Sequence, residues 1–233
     1  MTRARGYRLN LLTEIAWWTL YLSPPMRAPW MKTALSRETR RDSFPGRLRE
    51  YLLELPDAGT RRPRVLDVGC GPLSRLAWGV DAGILDLTAV DPLAHVYRFL
   101  LGAYRLDFPV TPVPCAAERL LDRFSPQSFD AVYSRNALDH VEDADLCIAN
   151  ICALLTKNGR FFFDGITREG TRQKWRGLHK HDFYVSDGSL MWSGEDGKAI
   201  DFSARHGLAL VYQNQRRFTT GEWFRLEFER RMP

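Results

Sequence analysis

The sequence lacks the features that mark several classes of protein. Its four cysteines, Cys70, Cys115, Cys147 and Cys152, form no CxxC pair and have no metal-ligand spacing. The pattern therefore predicts no disulfide framework and no cysteine-based zinc site, but buried thiols in a reducing compartment. The longest strongly apolar run, residues 15–22, is far shorter than the ~20 residues that span a bilayer. No signal-peptide cleavage site accompanies it, so we expect a cytoplasmic protein without membrane association.

Positive charge is not concentrated in any one segment. The chain has 33 basic and 28 acidic residues, a formal net charge of +5. Its arginine pairs, such as Arg40-Arg41 and Arg216-Arg217, are scattered, and no helical segment carries a basic stripe interleaved with aromatics. This distribution favours an ordinary solvated surface over a nucleic-acid footprint. The sequence shows no internal repeats, and 233 residues suffice for one or two domains.

The hydrophobic periodicity changes at about residue 60. Before that point, apolar positions predict helices over 9–22 and 47–55, the first of them apolar on all sides. We therefore expect an N-terminal helical segment, 1–60, and a second domain, 61–233. In the second part, short apolar runs alternate with helical patterns, which predicts an α/β fold with a parallel sheet. The strands are expected at 64–68, 87–90, 109–113, 129–133 and 160–164, and the helices at 73–80, 93–104, 117–124 and 143–156.

The alternation stops after residue 164. Residues 183–192 predict a hairpin on the Asp187-Gly188 turn, followed by a helix near 198–206 and strands near 208–213 and 222–229. Asn158-Gly159 predicts a left-handed end to the preceding helix. Because parallel sheets bind ligands beyond the carboxyl ends of their strands, functional residues are expected in the loops there.

The loop after the first strand lacks the third glycine of a dinucleotide-binding loop. Gly69 and Gly71 are followed by Ser74 where that glycine belongs, and Asp67 stands two places before the first glycine. A carboxylate at Asp67 would repel a pyrophosphate. Asp91 ends the second strand, where an acid can accept both ribose hydroxyls. These residues favour a cationic ligand without phosphate, such as S-adenosylmethionine (SAM), which carries an ammonium and a sulfonium.

Four stretches resemble the successive motifs of class I SAM-dependent methyltransferases: VLDVGCGPL, LTAVDPLA, CAAERL and FDAVYSRNALDHVED. The resemblance covers about residues 64–166. It implies a Rossmann-like, doubly wound seven-stranded sheet whose last strand is antiparallel, here with the N-terminal helical lid and the inserted hairpin. It also implies SAM as cofactor, with the cofactor-binding residues Asp67, Gly69, Gly71, Asp91, Ala117, Glu118, Ser134 and Arg135.

Two positions depart from the family pattern. Leu73 replaces a small residue, which makes the loop bulkier near the methionine moiety. Ala116 stands where many relatives carry an aspartate for the adenine amino group. More narrowly, NALDH (136–140) and WRGLHKHDF (175–183) resemble a branch found near natural-product and polysaccharide genes.

Methyl transfer needs a positioned nucleophile and often a base. The catalytic candidates are Asn136, His140 and His179, and Glu169 and His181 also lie in suitable loops. A metal site built from Asp139, His140 and His179 is left open, but no spacing demands it and we expect none. Aromatic residues of the lid can attract a sulfonium by cation–π interaction; the candidates are Tyr7, Trp17, Trp18, Tyr21, Trp30 and Phe44.

Other reactions remain open at this stage. The SAM amino group could attack its own methionine chain and release methylthioadenosine and azetidine-2-carboxylate, with Arg135 and Asn136 folding the chain. An RNA-modifying enzyme and a non-catalytic SAM-binding protein are further alternatives. Methyl transfer to a small molecule is the first choice.

Overall fold

The alternating strands and helices predicted after residue 64 are present. The computed structural model describes residues 3–57 and 59–231, with side chains described from residue 10 onward. The chain divides into two compact units, Met1–Cys115 and Ala116–Pro233, and each is described by itself. The predicted boundary at residue 60 is not tested by this division and stays a prediction.

The first unit contains parallel strands and most of the helices. Its strands are β1 (Arg64–Val68), β2 (Asp86–Asp91) and β3 (Val113–Pro114), and both β1 and β3 pair in parallel with β2. The prediction placed β3 at 109–113, but prolines at 109 and 112 have no N–H to donate to a neighbouring strand. The helices are α1 (Arg3–Leu22), α2 (Pro29–Leu35), α3 (Gly46–Glu54), α4 (Ala77–Asp81) and α5 (Ala94–Ala103), with 3-10 turns at Pro24–Met26 and Arg40–Ser43.

The N-terminal helices pack against the rest of the first unit. Leu22, Met31 and Ala34 form a buried cluster with Leu73 of the glycine loop and with Leu100 and Leu101 of α5. The bulk of Leu73 therefore lies in an apolar cluster, which explains why this loop carries a leucine. No helix among the described residues has both the length and the apolar character needed to cross a membrane.

The second unit contains the remaining strands of the large sheet and a smaller sheet. Its strands are β4 (Phe129–Arg135), β5 (Leu155–Ile166), β6 (Asp182–Ser186), β7 (Ser189–Ser193), β8 (Ala199–Asp201), β9 (Leu208–Phe218) and β10 (Gly221–Arg230). Its helices are α6 (Ala144–Leu154), α7 (Glu169–Arg172) and α8 (Phe202–His206), with 3-10 turns at Ala117–Asp122 and Leu138–His140. Residues 117–124 were predicted as an α-helix and form the first of these 3-10 turns.

The strand order confirms the predicted fold class. The seven-stranded sheet has the order β3-β2-β1-β4-β5-β10-β9. β4 and β5 are parallel, whereas β10, the last strand of the chain, is antiparallel to both β5 and β9. The fold is therefore α/β, with the Rossmann-like arrangement and the antiparallel last strand that the sequence led us to expect.

The predicted hairpin is present and has an additional strand. β6 and β7 join through Asp187 and Gly188, whose φ angles are 49° and 75°. Positive φ at both central residues is the geometry of a type I′ turn. β8 pairs with β7 and completes a three-stranded sheet, a strand that the sequence pattern did not indicate.

The predicted left-handed end at Asn158-Gly159 is wrong. α6 ends earlier, and Leu155 is already extended with ψ 133°. A Cβ on Gly159 would lie 3.1 Å from the carbonyl oxygen of Phe129 in β4. Glycine is needed there because two backbones approach closely, and not because φ is positive.

Arg40 ties the N-terminal segment to α4. It is 4% exposed. Its Nε donates to the Ala34 carbonyl at 2.7 Å and its Nη2 to the Leu35 carbonyl at 3.0 Å, while Nη1 pairs with Asp81 at 2.5 Å. The Arg40 guanidinium therefore donates hydrogen bonds to the carbonyls at the end of α2 and neutralises the largely buried carboxylate of Asp81.

We expect Arg40→Met to lower the free energy of unfolding by roughly 3 kcal/mol, the lower end for breaking a buried ion pair, because Asp81 keeps some contact with water. The matched control is Arg217→Met, whose arginine is 91% exposed and lies 3.6 Å from Glu222. It should change stability by less than about 1 kcal/mol. Chemical denaturation measures both, and equal effects would contradict the role given to Arg40.

Candidate functional site

The glycine loop of the first unit crosses the carboxyl end of β2. Gly69 and Gly71 have φ angles of 69° and 61°, a region that glycine adopts without steric cost. The N–H groups of Gly69 and Cys70 both donate to the Val90 carbonyl, at 2.9 and 3.1 Å. The loop therefore leaves a stretch of bare backbone next to the end of two strands, as the sequence predicted.

Asp91 organises this loop. Its Oδ2 accepts the N–H of Gly71 at 3.1 Å and its Oδ1 accepts the N–H of Leu93 at 2.8 Å. It does not cap α5, whose N-terminal cap residue is Leu93. A carboxylate has about four acceptor sites. Asp91 can therefore hold both backbone groups and still accept further hydrogen bonds, as the predicted ribose ligand must.

Asp67 lies beneath the loop and explains the missing third glycine. Ser74, at that position, donates its hydroxyl to Asp67 Oδ2 at 2.6 Å. Burial raises the pKa of Asp67 to about 7, although the Ser74 bond lowers it, and the charge of Asp91 adds to the rise. Burial likewise raises the pKa of Asp91 to about 6, against the bonds from Leu93 and Gly71. A bound cation stabilises the ionised forms of two acids that lie this close together.

Helix α1 lies over the glycine loop. Trp18 Cζ2 is 3.6 Å from the position that a Cβ of Gly71 would occupy. The Trp18 indole donates to Glu14 Oε1 at 2.9 Å and meets the Tyr97 ring edge-to-face at 6.0 Å. The charge of Glu14 contributes to the raised pKa of both Asp91 and Tyr97, after burial as the main cause. Sequence reasoning selected Trp18 and missed Glu14, whose only signal was an acid inside an apolar helix.

The other aromatic residues predicted to belong to the lid differ in their exposure and contacts. Trp17 and Trp30 are 40% and 47% exposed, and Tyr21 stacks on Trp17 with ring centroids 4.0 Å apart. Phe44 is buried and contacts the ring of Trp78 edge-to-face. The side chain of Tyr7 lies outside the described residues.

In the second unit, the predicted adenine residues form a tight turn. Asn150 of α6 donates to the carbonyls of Ala117 and Glu118 at 3.1 and 2.9 Å. Glu118 Oε1 accepts the N–H of Glu142 at 2.7 Å, so this side chain also holds the loop before α6. Sequence reasoning missed Asn150, although an asparagine inside an apolar helix pattern is a usable signal.

The residues at the end of β4 differ in exposure. Ser134 is fully buried. The Arg135 guanidinium lies 4.9 Å from the ring centre of Trp223. Asn136 is exposed, with a φ of 48°, and its N–H donates to the Asp164 carbonyl at 3.1 Å. Asparagine tolerates this left-handed conformation better than most residues do.

Asp139, His140 and His179 lie together, although 40 residues separate the first from the last. Asp139 Oδ2 is 2.7 Å from His179 Nδ1 and 3.3 Å from His140 Nε2, and the two histidine nitrogens are 3.1 Å apart. Burial raises the pKa of Asp139, but the nearby charge of His140 and the bond to His179 outweigh it and lower the pKa overall. The cluster therefore contains a carboxylate and two imidazoles.

Two other candidates have structural roles. His181 Nδ1 accepts from the Trp192 indole at 3.0 Å, so its Nε2 carries the proton and donates to the Val141 carbonyl at 2.9 Å. Burial lowers the pKa of His181, which keeps it neutral. The carboxylate of Glu169 accepts bonds from Arg172 and Gln173 within its own helix region.

We expect Asp67→Asn to become more stable relative to the wild type as pH rises from about 4 to 7. Folded Asp67 keeps its proton up to about pH 7, whereas an unfolded aspartate loses it near pH 3.9. Raising the pH through this window therefore destabilises the wild type alone. Thermal melts of both proteins across pH, without ligand, test this. A constant difference in Tm would mean that Asp67 ionises normally.

Comparisons with known proteins agree with this geometry. Residues 66–163 match the family described as "Methyltransferase domain". A ubiquinone biosynthesis O-methyltransferase from Photorhabdus laumondii is 35% identical over 123 residues, which are 51% of this chain and 48% of that protein. The match thus spans about half of the relative's length.

Solved structures share the fold. A SAM-dependent methyltransferase from Methanosarcina mazei has a TM-score of 0.55 at 14% identity, covering 82% of this chain and 99% of that one. The N-methyltransferase NodS from Bradyrhizobium japonicum has a TM-score of 0.51 at 15% identity, covering 85% and 97%. The matched family segment, 66–163, contains Asp67, the glycine loop and Asp91, so this part of the chain is similar to a methyltransferase domain at the residues described above.

Proposed function

We propose that this protein transfers the methyl group of SAM to a small-molecule acceptor of natural-product or sugar-like type, and that it does so in the cytoplasm. The observation that carries the proposal is the pair of buried acids, Asp67 and Asp91, beside a glycine loop. Two carboxyl groups that border a stretch of bare backbone favour a ligand with positive charge and without phosphate. SAM meets both requirements.

The cofactor contacts follow the family resemblance. In the first unit, Gly69 and Gly71 offer backbone to the methionine end, with Asp67 beneath them, and Asp91 accepts the ribose hydroxyls. The resemblance extends the set of cofactor residues to four positions of the second unit, and these roles stay predictions: Ala117, Glu118, Ser134 and Arg135.

A small acceptor is supported by two observations. The relative at 35% identity is named for O-methyl transfer in ubiquinone biosynthesis. Several arginines are also engaged in ion pairs, including Arg40 with Asp81 and Arg160 with Glu227 and Glu229, which leaves them less suited to an RNA backbone. Salt-sensitive binding to mixed RNA would count against this choice.

Asn136, His140 and His179 are proposed to receive the acceptor and its proton. Asn136 is exposed at the carboxyl end of β4. The two histidines share Asp139, which keeps a negative charge beside the imidazoles. An imidazole beside a carboxylate can accept a proton from a bound acceptor.

We expect Asp91→Asn to weaken SAM binding by about 1.5–3 kcal/mol, the contribution of a charge-assisted hydrogen bond. Asparagine retains one acceptor oxygen but loses the charge. Asp86→Asn is the control, because Asp86 is exposed at the other end of the same strand. Calorimetry on folded variants makes the comparison, and equal affinities in Asp91→Asn and the wild type would remove Asp91 from the ribose site.

The products formed from SAM distinguish methyl transfer from cyclisation. We expect purified protein with SAM alone to form almost no product, because the methyl group has no acceptor, and to release S-adenosylhomocysteine when an acceptor is added. Chromatography of the nucleosides identifies the products. Enzyme-dependent methylthioadenosine from SAM alone, without S-adenosylhomocysteine, would replace the proposal with the cyclase.

A further inference from the structure

The Asp139–His140–His179 cluster has the dimensions of a metal-ligand set. Its three ligand atoms, Asp139 Oδ2, His140 Nε2 and His179 Nδ1, form a triangle with sides of 2.7, 3.1 and 3.3 Å. Imidazole and carboxylate bind first-row metals at about 2.0–2.2 Å. Adjacent ligands of an octahedral ion with such bonds lie ~3.0 Å apart, by geometry from those lengths. The triangle therefore fits one face of an octahedron.

Protons alone cannot satisfy all three sides of this triangle. The carboxylate oxygen only accepts, and each imidazole nitrogen either donates or accepts. If both nitrogens carry protons, both can donate to Asp139, and the 3.1 Å side joins two donors. If only His140 Nε2 carries one, His179 Nδ1 and Asp139 Oδ2 are two acceptors 2.7 Å apart. If only His179 Nδ1 does, His140 Nε2 faces the Asp139 oxygen lone pair to lone pair at 3.3 Å. A cation accepts electron pairs from all three atoms at once.

The segment that carries His179 is held in a costly conformation. Lys174 and Trp175 both have a φ of 56°, and a left-handed conformation costs roughly 1–3 kcal/mol at each residue that is not glycine. Trp175 packs so closely on Gly170 that a Cβ there would lie 2.5 Å from its ring. The N–H of Lys180 then donates to the Asp139 carbonyl at 2.8 Å. The loop is thus held against Gly170 at its start and next to Asp139 at its end.

We infer that Asp139, His140 and His179 bind a divalent first-row transition metal ion. Two imidazoles and one carboxylate select ions such as Fe²⁺, Co²⁺, Mn²⁺ or Zn²⁺ over Mg²⁺ and Ca²⁺, which prefer oxygen ligands. Three protein ligands on one face leave positions open for a small molecule.

The role of the ion rests on the proposed function. With the ion bound, His140 and His179 are its ligands and do not take the proton themselves. An acceptor hydroxyl that binds at an open position then loses its proton to water more readily, because the cation lowers its pKa. The acceptor oxygen then forms a bond to the methyl carbon of SAM. The bond between that carbon and sulfur breaks, and its electron pair stays on sulfur in S-adenosylhomocysteine. The acceptor class is therefore a compound with a hydroxyl that can bind a metal ion.

Cobalt titration of the full chain, freed of metal by a chelator, tests the site. We expect one Co²⁺ per chain, with visible d–d absorption and without a thiolate charge-transfer band. His140→Gln and His179→Gln should each weaken Co²⁺ binding by at least about tenfold, since even the loss of an outer-shell partner costs that much. The matched control is His206→Gln, which removes a histidine bonded to Asp145 at 2.8 Å and should leave Co²⁺ affinity unchanged.

Thermal melts with and without Co²⁺ show whether each variant is folded. The ion should raise the Tm of the wild type and of His206→Gln, but not that of His140→Gln. No uptake by the wild type, or unchanged affinity in folded His140→Gln, would overturn the metal site. Acceptor-dependent S-adenosylhomocysteine from metal-free protein would overturn the role of the ion and leave the proposed function intact. Co²⁺ uptake by a chain that fails to bind SAM would support the metal site and reject the proposed function.

Discussion

The burial of two carboxylates at the ends of neighbouring strands is the constraint on which the glycine loop depends. A buried carboxyl group without hydrogen-bond partners is costly whether or not it is ionised, so Asp67 and Asp91 need partners close by. Ser74 supplies one to Asp67, while Gly71 and Leu93 supply two to Asp91. The path of the loop, the serine in place of a third glycine and the open backbone all follow from satisfying these two acids.

Much of the fold was predictable because local sequence patterns carry it. The apolar runs at β1, β2 and β4 were placed correctly, and the Asp187-Gly188 turn was identified from two residues. The errors arose where contacts between distant parts of the backbone determine the local structure. Gly159 is glycine because β4 passes next to it, and a helix cap was the only local interpretation available. β8 forms only because β7 offers it an edge, which no local pattern reveals.

The sequence predicted which residue types the candidate site contains, but not which of these residues contact one another. His179 and His181 are two positions apart and have the same local signal. His181 is fixed between the Trp192 indole and the Val141 carbonyl, whereas His179 meets Asp139. Only tertiary structure, which brings together segments 40 residues apart, separates a structural histidine from a candidate ligand. For the same reason, the sequence could suggest a metal site at Asp139, His140 and His179 but could not favour it over the other interpretations.

Helix α1 brings an aromatic ring and an acid to the glycine loop. It places the Trp18 indole against Gly71 and holds Glu14 where its charge raises the pKa of Asp91. A third acid near two buried acids is unfavourable as long as no cation is present. A ligand with an ammonium and a sulfonium removes that cost. Packing of α1 and binding of a cationic cofactor therefore favour each other, which gives the N-terminal segment a reason to carry an acid in an otherwise apolar helix.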